Sequence, residues 1–430
     1  MTGEPHEPPP GHTCGPAAGI SVAVFACVAL PLIVFNYDHG RAYYDQLNYH
    51  APAIRHFLAG GDFRDYPSAT TPGFHLVMAA VARWISDSER VLKFVSFLIT
   101  SASIWVLTQR VARQARGGIQ AVTLVLPLLF SIYFLPAGVW LLPDNLAWLS
   151  VLWVLILALD FRDDGRWYVL TSLSLVVAVL VRQSNLWLCF VVYATAMTSA
   201  PPGRHQTFAW RPLTRTLLAT VPSVCVLAYF VILWHGTVPP SFAQKHASVN
   251  LAAAPYLLSI FAVYSVFYLP LIWSEASRWM RGRNGIRLLC WGAITGLSTT
   301  LLTPTDWSAE QGRVSGLWNL TRLLPSIEHH SLVIVALSVL GGVSGALWLS
   351  LASPRVRTVT VASVLGFVAA QSLSHFVYER YYAGLVFFLI ILLAADILNR
   401  APVLSRAAFA GPAAFAAINA VILGAGLMSG

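Results

Sequence analysis

The sequence predicts an all-α polytopic membrane protein, and three observations predict it. Of 430 residues, 57% are hydrophobic and only 10% charged, with a mean hydropathy of +0.66, where a soluble globular chain carries roughly a quarter charged residues. The polar residues collect in short clusters between apolar runs close to the ~20 residues that cross a bilayer as a helix. The base that produces the net charge of +9 is spread through those clusters as many arginines and two lysines. It forms no basic stripe or aromatic-basic module, which excludes nucleic acid as the partner, and instead follows the positive-inside bias of cytoplasmic loops.

Taken in order, the apolar runs lie near 17–36, 72–86, 91–109, 118–140, 144–160, 167–181, 183–199, 213–235, 256–275, 286–302, 329–352, 358–376, 382–398 and 407–428. They predict a bundle of about 12 to 14 transmembrane helices. Several are shorter than an upright span, so broken or tilted helices around a cavity are expected. Residues 1–16 form a polar N-terminal tail without the basic start of a secretory signal, so the first run is read as a retained span, and 17–428 as a single transmembrane domain. Of the five cysteines, Cys14 lies in the tail and Cys27, Cys189, Cys225 and Cys290 lie in apolar runs. No CxxC pair or His at ligand spacing accompanies them, so neither a disulfide framework nor a zinc site is indicated.

Orientation follows from the arginines at 110, 113, 116, 162, 166, 204, 211, 215, 278, 281, 283, 287, 355, 357, 400 and 406. Placing all of them on the cytoplasmic side lets the runs alternate, provided that 72–86 enters and leaves on one side as a partial span. The loop 37–71 is then external, together with Asp144, Asn145, Arg182 to Asn185, and the segments 236–255, 303–328 and 375–381.

The external loop 37–71 carries four Asp, three Arg and three His among seven aromatic residues. Leu47, Ala51, Ile54 and Leu58 recur at three to four residues, which predicts an amphipathic interfacial helix stopped by Gly60 and Gly61. Asp45 stands just before that helix, either as its cap or as a carboxylate facing a substrate at the membrane surface. Arg182, Gln183, Ser184 and Asn185 interrupt an otherwise continuous apolar stretch. They either end two short helices at the interface, with Trp187 as an anchor, or line a polar cavity for a phosphate or sugar. Lys245 beside His246 is a candidate point charge for a lipid phosphate or a solvated loop residue. Glu379, Arg380, Tyr381 and Tyr382 follow His375 as an interfacial anchor or local ion pair. Trp307 and Trp318 in the 303–328 loop read as further anchors, beside Asp306, Glu310, Arg313, Arg322 and Glu328 at no interpretable spacing.

These clusters resemble the eukaryotic α-1,2-glucosyltransferase family that adds the terminal glucose of the lipid-linked oligosaccharide from dolichyl phosphate glucose, a member of the GT-C superfamily. The family's Met-Asp-Glu, His-x-Pro and Thr-Thr-Pro-Pro-Gly stretches are similar to Tyr44-Asp45-Gln46, His50-Ala51-Pro52 and Thr70-Thr71-Pro72-Gly73. Its Phe-Arg-Gln-Thr-Asn-Ile resembles Val181-Arg182-Gln183-Ser184-Asn185-Leu186, its Asp-Lys resembles Gln244-Lys245, and its Asn-Arg-His-Tyr resembles Glu379-Arg380-Tyr381-Tyr382. Order and approximate spacing agree along nearly the whole chain. The departures are Gln46 for Glu, a displaced His-x-Pro, one missing Pro, and Gln244 for Asp.

The resemblance implies a GT-C-like bundle that moves a hexose, glucose first, from a polyprenyl or dolichyl phosphate to a lipid-linked or envelope glycan. Asp45 would be the catalytic base. Arg182, Gln183, Asn185, Lys245 and Arg380 would hold the donor phosphate or sugar, with His50, Asp144 and Tyr382 as acceptor or supporting residues. No cofactor is required and a divalent metal is optional, since no ligand set demands one. The composition and short loops favour a bacterial inner membrane, with the ER membrane as the eukaryotic counterpart. The rival readings are a GT-C transferase for mannose or arabinose, a lipid or sugar transporter, and a scaffold inactivated by the loss of Glu at Gln46.

Overall fold

The computed structural model describes residues 15–115, 117–198, 210–243, 249–400 and 406–428. Arg116, Arg204, Gln244, Lys245, His246 and the tail with Cys14 lie outside the described residues.

The chain is helical nearly throughout: α1 (Gly15–Val34), α2 (Gly40–Asp45), α3 (Ala51–Leu58), α4 (Gly73–Trp84), α5 (Glu89–Gln114), α6 (Gly118–Leu129), α7 (Phe134–Val139), α8 (Asp144–Leu159), α9 (Gly165–Val181), α10 (Leu188–Thr198) and α11 (Trp210–Trp234). The second half adds α12 (Ala253–Met280), α13 (Arg283–Leu301), the short α14 (Trp318–Thr321), α15 (Leu332–Leu351), α16 (Pro354–Ser372), α17 (Glu379–Arg400) and α18 (Ala410–Met428). Two-residue strands pair Ser326 with Ser331 and Ile327 with His330. Among the described residues, seven helices are long and apolar enough to cross a membrane, and α6, α8 and α9 are shorter apolar helices. The protein is thus an all-α polytopic membrane protein.

Long-range contacts sort the helix ends into two levels. At one end Arg110 pairs with Asp160, Arg215 with Asp163, and Arg355 lies over Phe161. At the other, Tyr37 donates to the Leu427 carbonyl, Lys93 pairs with Asp38, Arg182 with Asp144, and Arg380 with Asp45. The arginines taken as cytoplasmic and the loops taken as external therefore segregate in space. The run at 72–86 fits this division as a partial span. Helix α4, at about 18 Å, falls short of the ~30 Å hydrocarbon core. It starts against Leu180, Arg83 near its far end donates to the Leu58 carbonyl, and Glu89 just beyond accepts from Gln46.

Helix α17 is the central post, with 94% of its apolar window buried. Close approaches elsewhere depend on glycine. A Cβ at Gly292 would overlap the Gly342 carbonyl, and one at Gly296 the Ser338 carbonyl, so a Gly-x-x-x-Gly face lets α13 and α15 pack backbone to backbone. The apolar run at 118–140 is broken between α6 and α7 by residues 130–133, and the run at 183–199 opens with a 3-10 turn, Gln183–Trp187, before α10. All four described cysteines are free.

Three sequence expectations are corrected. A π-helical turn, Gln46–His50, adds backbone between α2 and α3 and rotates the following helix. The buried stripe is therefore His50, Ala53, Ile54 and Phe57, while Leu47 is 52% exposed. Trp187 and Trp318 are not interfacial anchors. Trp187 packs edge-on against Phe367, and Trp318 stacks on Tyr256 at 4.6 Å and donates its indole N–H to Val377. Trp307 is partly buried, with the Arg322 guanidinium 4.7 Å from its ring.

The two-ended arrangement predicts that single cysteines placed at 62 and 281 react with impermeant thiol reagents from opposite faces of sealed vesicles. Labelling of both from one face would overturn it.

Candidate functional site

The site lies where the loop after α1 meets the broken α9/α10 junction and the start of α17. Asp45 is the last residue of α2, makes no capping bond, and its carboxylate pairs with Arg380. That removes the reading of Asp45 as a helix cap. Arg380 turns from its neighbour Glu379, which accepts instead from the Leu317 N–H at 2.9 Å and the Tyr256 hydroxyl at 3.2 Å. Asp144, at the first turn of α8, is 5% exposed and accepts from the Arg182 guanidinium at 3.0 Å. Tyr381 lies between the two pairs. Its ring centroid is 4.8 Å from the Arg182 guanidinium carbon and 5.2 Å from that of Arg380, and its hydroxyl oxygen is 3.4 Å from Arg380 Nη2. Cation–π contact thus joins two ion pairs into one chain: Asp45, Arg380, Tyr381, Arg182, Asp144.

This chain separates two cavities. The first, about 700 Å³, is lined by Asp45, Asp144, Arg380 and Arg41 and by the rings of Tyr37, Tyr44, Tyr49, Tyr133, Trp140 and Tyr378, with the end of α18 as an apolar wall. The second, about 550 Å³, is a slot between α10, α11 and α16. Arg182, Ser184 and Tyr381 lie at its polar end, and Leu186, Trp187, Phe190, Leu227, Leu365 and Ala369 line its apolar length. Both volumes fall within the ~300–1,000 Å³ range of small-molecule sites. Burial, then the neighbouring Tyr381, push the phenol of Tyr378, which lines the first cavity, up to about 12. Among the described residues, no group of three or more His, Cys, Asp or Glu could hold a metal ion.

Several residues expected to face a ligand also brace the scaffold; Gln183 does so while lining the second cavity. Gln183 accepts from the Thr71 N–H at 3.1 Å and donates to the carbonyls of Ala69 at 2.8 Å and Thr237 at 3.0 Å. Asn185 donates to the Ala178 carbonyl at 3.1 Å. At the end of α9 the Thr71 hydroxyl donates to the Val179 carbonyl at 2.6 Å, Asn185 shares the Ala178 carbonyl with the Arg182 N–H, and Gln183 ties the segments at 69–71 and 237 to the break. Tyr382 is fully buried, packs against Tyr256 and Phe367, and lines neither cavity. His50 bonds His75 at 3.1 Å beneath the site. Burial first, then His75, Arg380 and Arg182, lower its pKa well below 6.5. Lys245 lies outside the described residues.

Sequence reasoning named Tyr381 only as part of the 379–382 cluster and gave it no place in the site, a role that needs both arginines in space, and it misread Gln46. The Gln46 side chain is 1% exposed, donates to Glu89 at 2.7 Å and accepts from the Leu141 N–H at 2.9 Å. A neutral amide can do both, whereas a carboxylate there could not donate to Glu89. Lys93, also passed over, is buried and paired with Asp38 at 2.8 Å and Glu89 at 2.7 Å. In the 303–328 loop, Arg313 pairs with Asp306 at 2.7 Å, a contact set by the turn that follows Asp306.

Fold and site together define a multi-span membrane protein with a charged junction between an aromatic cavity and an apolar slot. No protein-family model matches the chain, and no curated protein matches it. Among solved structures, it is similar to ArnT from Cupriavidus metallidurans bound to undecaprenyl phosphate, at 15% identity over 88% of this chain and 78% of that chain, with a TM-score of 0.42. The apo state of ArnT gives 16% identity over 89% and 78%, with a TM-score of 0.39. The functional reading rests on the side chains described above.

Removing one member of a buried pair strands the other charge, at a cost of about 3–5 kcal/mol. Arg182→Gln alone should therefore lower the melting temperature in detergent more than the double variant Arg182→Gln/Asp144→Asn; equal losses would show that the pair is not coupled. His50 supplies a pH test. Its native pKa lies below the unfolded value of ~6.5, so the unfolded chain binds the proton first. The stability linked to neutral His50 is present above about pH 6.5 and lost as pH falls. His50→Gln should flatten the acid side of the melting-temperature profile, and an unchanged slope would remove His50 as its source.

Proposed function

We propose that this chain is a membrane glycosyltransferase that moves a hexose, glucose in our reading, from a polyprenyl phosphate sugar to an acceptor hydroxyl with inversion. The observation that carries the reading is the junction itself: a carboxylate and two guanidiniums stand between a cavity with aromatic walls and a slot with apolar walls. The apolar slot suits a polyprenyl tail, and Arg182 at its polar end suits the phosphate. The sugar then projects past Tyr381 into the aromatic cavity, where the acceptor hydroxyl meets Asp45.

In the reaction the acceptor oxygen attacks the anomeric carbon as its proton passes to Asp45. The bond from that carbon to the phosphate oxygen breaks, and the phosphate leaves with the electron pair. Arg182 and Arg380 stabilise the charge that develops there. Both arginines are held by carboxylates before substrate arrives, so donor binding exchanges Asp144 and Asp45 for phosphate oxygens and leaves Asp45 available as the base. Lys245, by its place in the 236–255 loop, is assigned as a further cation for the phosphate. Gln183, Asn185 and His50 keep the support of the site, and Asp144 its neutralisation. A bacterial inner membrane with the junction on its external face completes the reading. A GT-C transferase for mannose or arabinose would use the same residues, because the sugar is chosen by the shape of the aromatic cavity.

The test is sugar transfer in membranes supplied with polyprenyl phosphate glucose and a lipid-extract acceptor. Wild type should transfer, and Asp45→Asn should lose about 10²-fold or more of the rate at equal protein level. Transfer by Asp45→Asn at the wild-type rate would remove Asp45 as the base. If wild type is inactive with glucose and also with mannose and arabinose donors, the transferase reading falls.

A further inference from the structure

The proposed base sits on a helix that buries none of its residues. Helix α2 is six residues long and its first turn has no side-chain cap, and a helix that short does not persist by itself. The Asp45 carboxylate pairs with Arg380, but the proposed transfer requires that pair to part when the donor phosphate claims the guanidinium. Something other than Arg380 must then keep Asp45 in the wall of the aromatic cavity.

A buried lysine from α5 meets that need. Lys93 is 1% exposed, and its ammonium lies 2.8 Å from Asp38, just before α2, and 2.7 Å from Glu89, one turn back on α5. The same Glu89 oxygen accepts from the Gln46 amide at 2.7 Å, and the Gln46 carbonyl oxygen accepts from the Leu141 N–H at 2.9 Å. Gln46 directly follows Asp45. One cation therefore ties down the segment 38–46 at both ends, with the Tyr43 ring 5.6 Å from the ammonium between them. Through Leu141 the same contacts register the Asp45 segment against the one that carries Asp144. Arg90, next to Glu89, adds a bond to Asn36 at 3.3 Å. A buried ion pair is a poor source of stability beside an apolar side chain of the same size, so stability alone does not account for Lys93; what the pair supplies is a fixed register.

We propose that Lys93, with Glu89 and Gln46, forms a clamp of positioning residues for the transfer reaction: it holds α2 from both ends, so that Asp45 keeps its place when donor binding removes Arg380. The inference rests on the transferase reading for Asp45 as the base, while the clamp itself is independent of it. It also gives Gln46 a reason to be an amide. The amide donates to Glu89 and accepts from Leu141 at once, whereas a carboxylate at 46 would face the Glu89 carboxylate with no donor between them. Glu at this position should therefore damage transfer. The rival reading, a scaffold inactivated at Gln46, expects the opposite.

The experiment follows sugar transfer by the full-length protein in membranes at equal protein level. Beside it, the distance between spin labels at Leu47 and Leu323, both exposed, is measured in a background with the five cysteines replaced. Gln46→Glu and Lys93→Met should each lower kcat about 10²-fold, the scale of an ångström's misplacement at a reacting centre, and leave the donor and acceptor KM within about threefold. The charge-conserving swap Gln46→Glu/Glu89→Gln returns a donor to face the carboxylate and should recover about tenfold or more of the loss. In an Asp45→Asn background, Lys93→Met should cost less than about threefold more, because the carboxylate through which it acts is already gone. The label distances should be narrowly distributed in wild type and in the swap, and broadened in the two single variants. Higher activity in Gln46→Glu, no recovery in the swap, or an equal Lys93→Met loss with and without Asp45 would each overturn the inference. An unchanged distance distribution in both single variants would do the same. If wild type transfers no sugar, the transferase reading falls by itself, and the label distances decide whether the clamp exists.

Discussion

Everything around the site is organised by the need to neutralise four charges where water is scarce. Asp45, Asp144, Arg182 and Arg380 come from the first loop, the start of α8, the end of α9 and the start of α17. Each has its partner on a distant segment, and Tyr381 offers one ring to both cations. An uncompensated charge at this depth would be costly, so the four segments are held together at one level. Because α17 is buried along almost its whole length, its first turn is a fixed post against which the others register.

The irregular backbone nearby is held because side-chain amides cross-link the segments around it. The break after α9 is bridged by Gln183 and Asn185, the loop after α1 by Gln46, and the turn before α12 by Asn250, which donates to the carbonyls of Gln311 and His375. Non-helical backbone at membrane depth persists only where it is satisfied by protein or lines a cavity, and both conditions hold here. The same arrangement accounts for two cavities on different faces of the junction. Each cavity has a polar end at the charged chain and an apolar side.

The ion pairs also describe the resting state. With Asp45 held by Arg380 and Arg182 held by Asp144, neither carboxylate nor guanidinium is free until an anion competes for the arginines. In the proposed transfer, binding energy from a donor phosphate would be used to break these contacts, which would tie exposure of Asp45 to occupancy of the site.

The sequence by itself determined the class and much of the layout. Hydropathy and the arginine clusters gave a polytopic helical protein, the two-ended sorting of its loops and the partial span at 72–86, because membrane insertion is a local matter of run length and flanking charge. It also pointed to Asp45 and Arg182 as charges beside apolar runs, and the family resemblance added Arg380. Tertiary structure decided partners and directions. Gln183 and Asn185 turn to backbone because carbonyls and amides brought from residues 69, 71, 178 and 237 lie beside them. Leu47 turns outward because a π-helical turn shifts the phase of the helix that follows. Gln46 is a brace and Tyr381 a bridge only through neighbours tens or hundreds of residues away. No period or composition encodes those contacts, because they are fixed by how the helices pack.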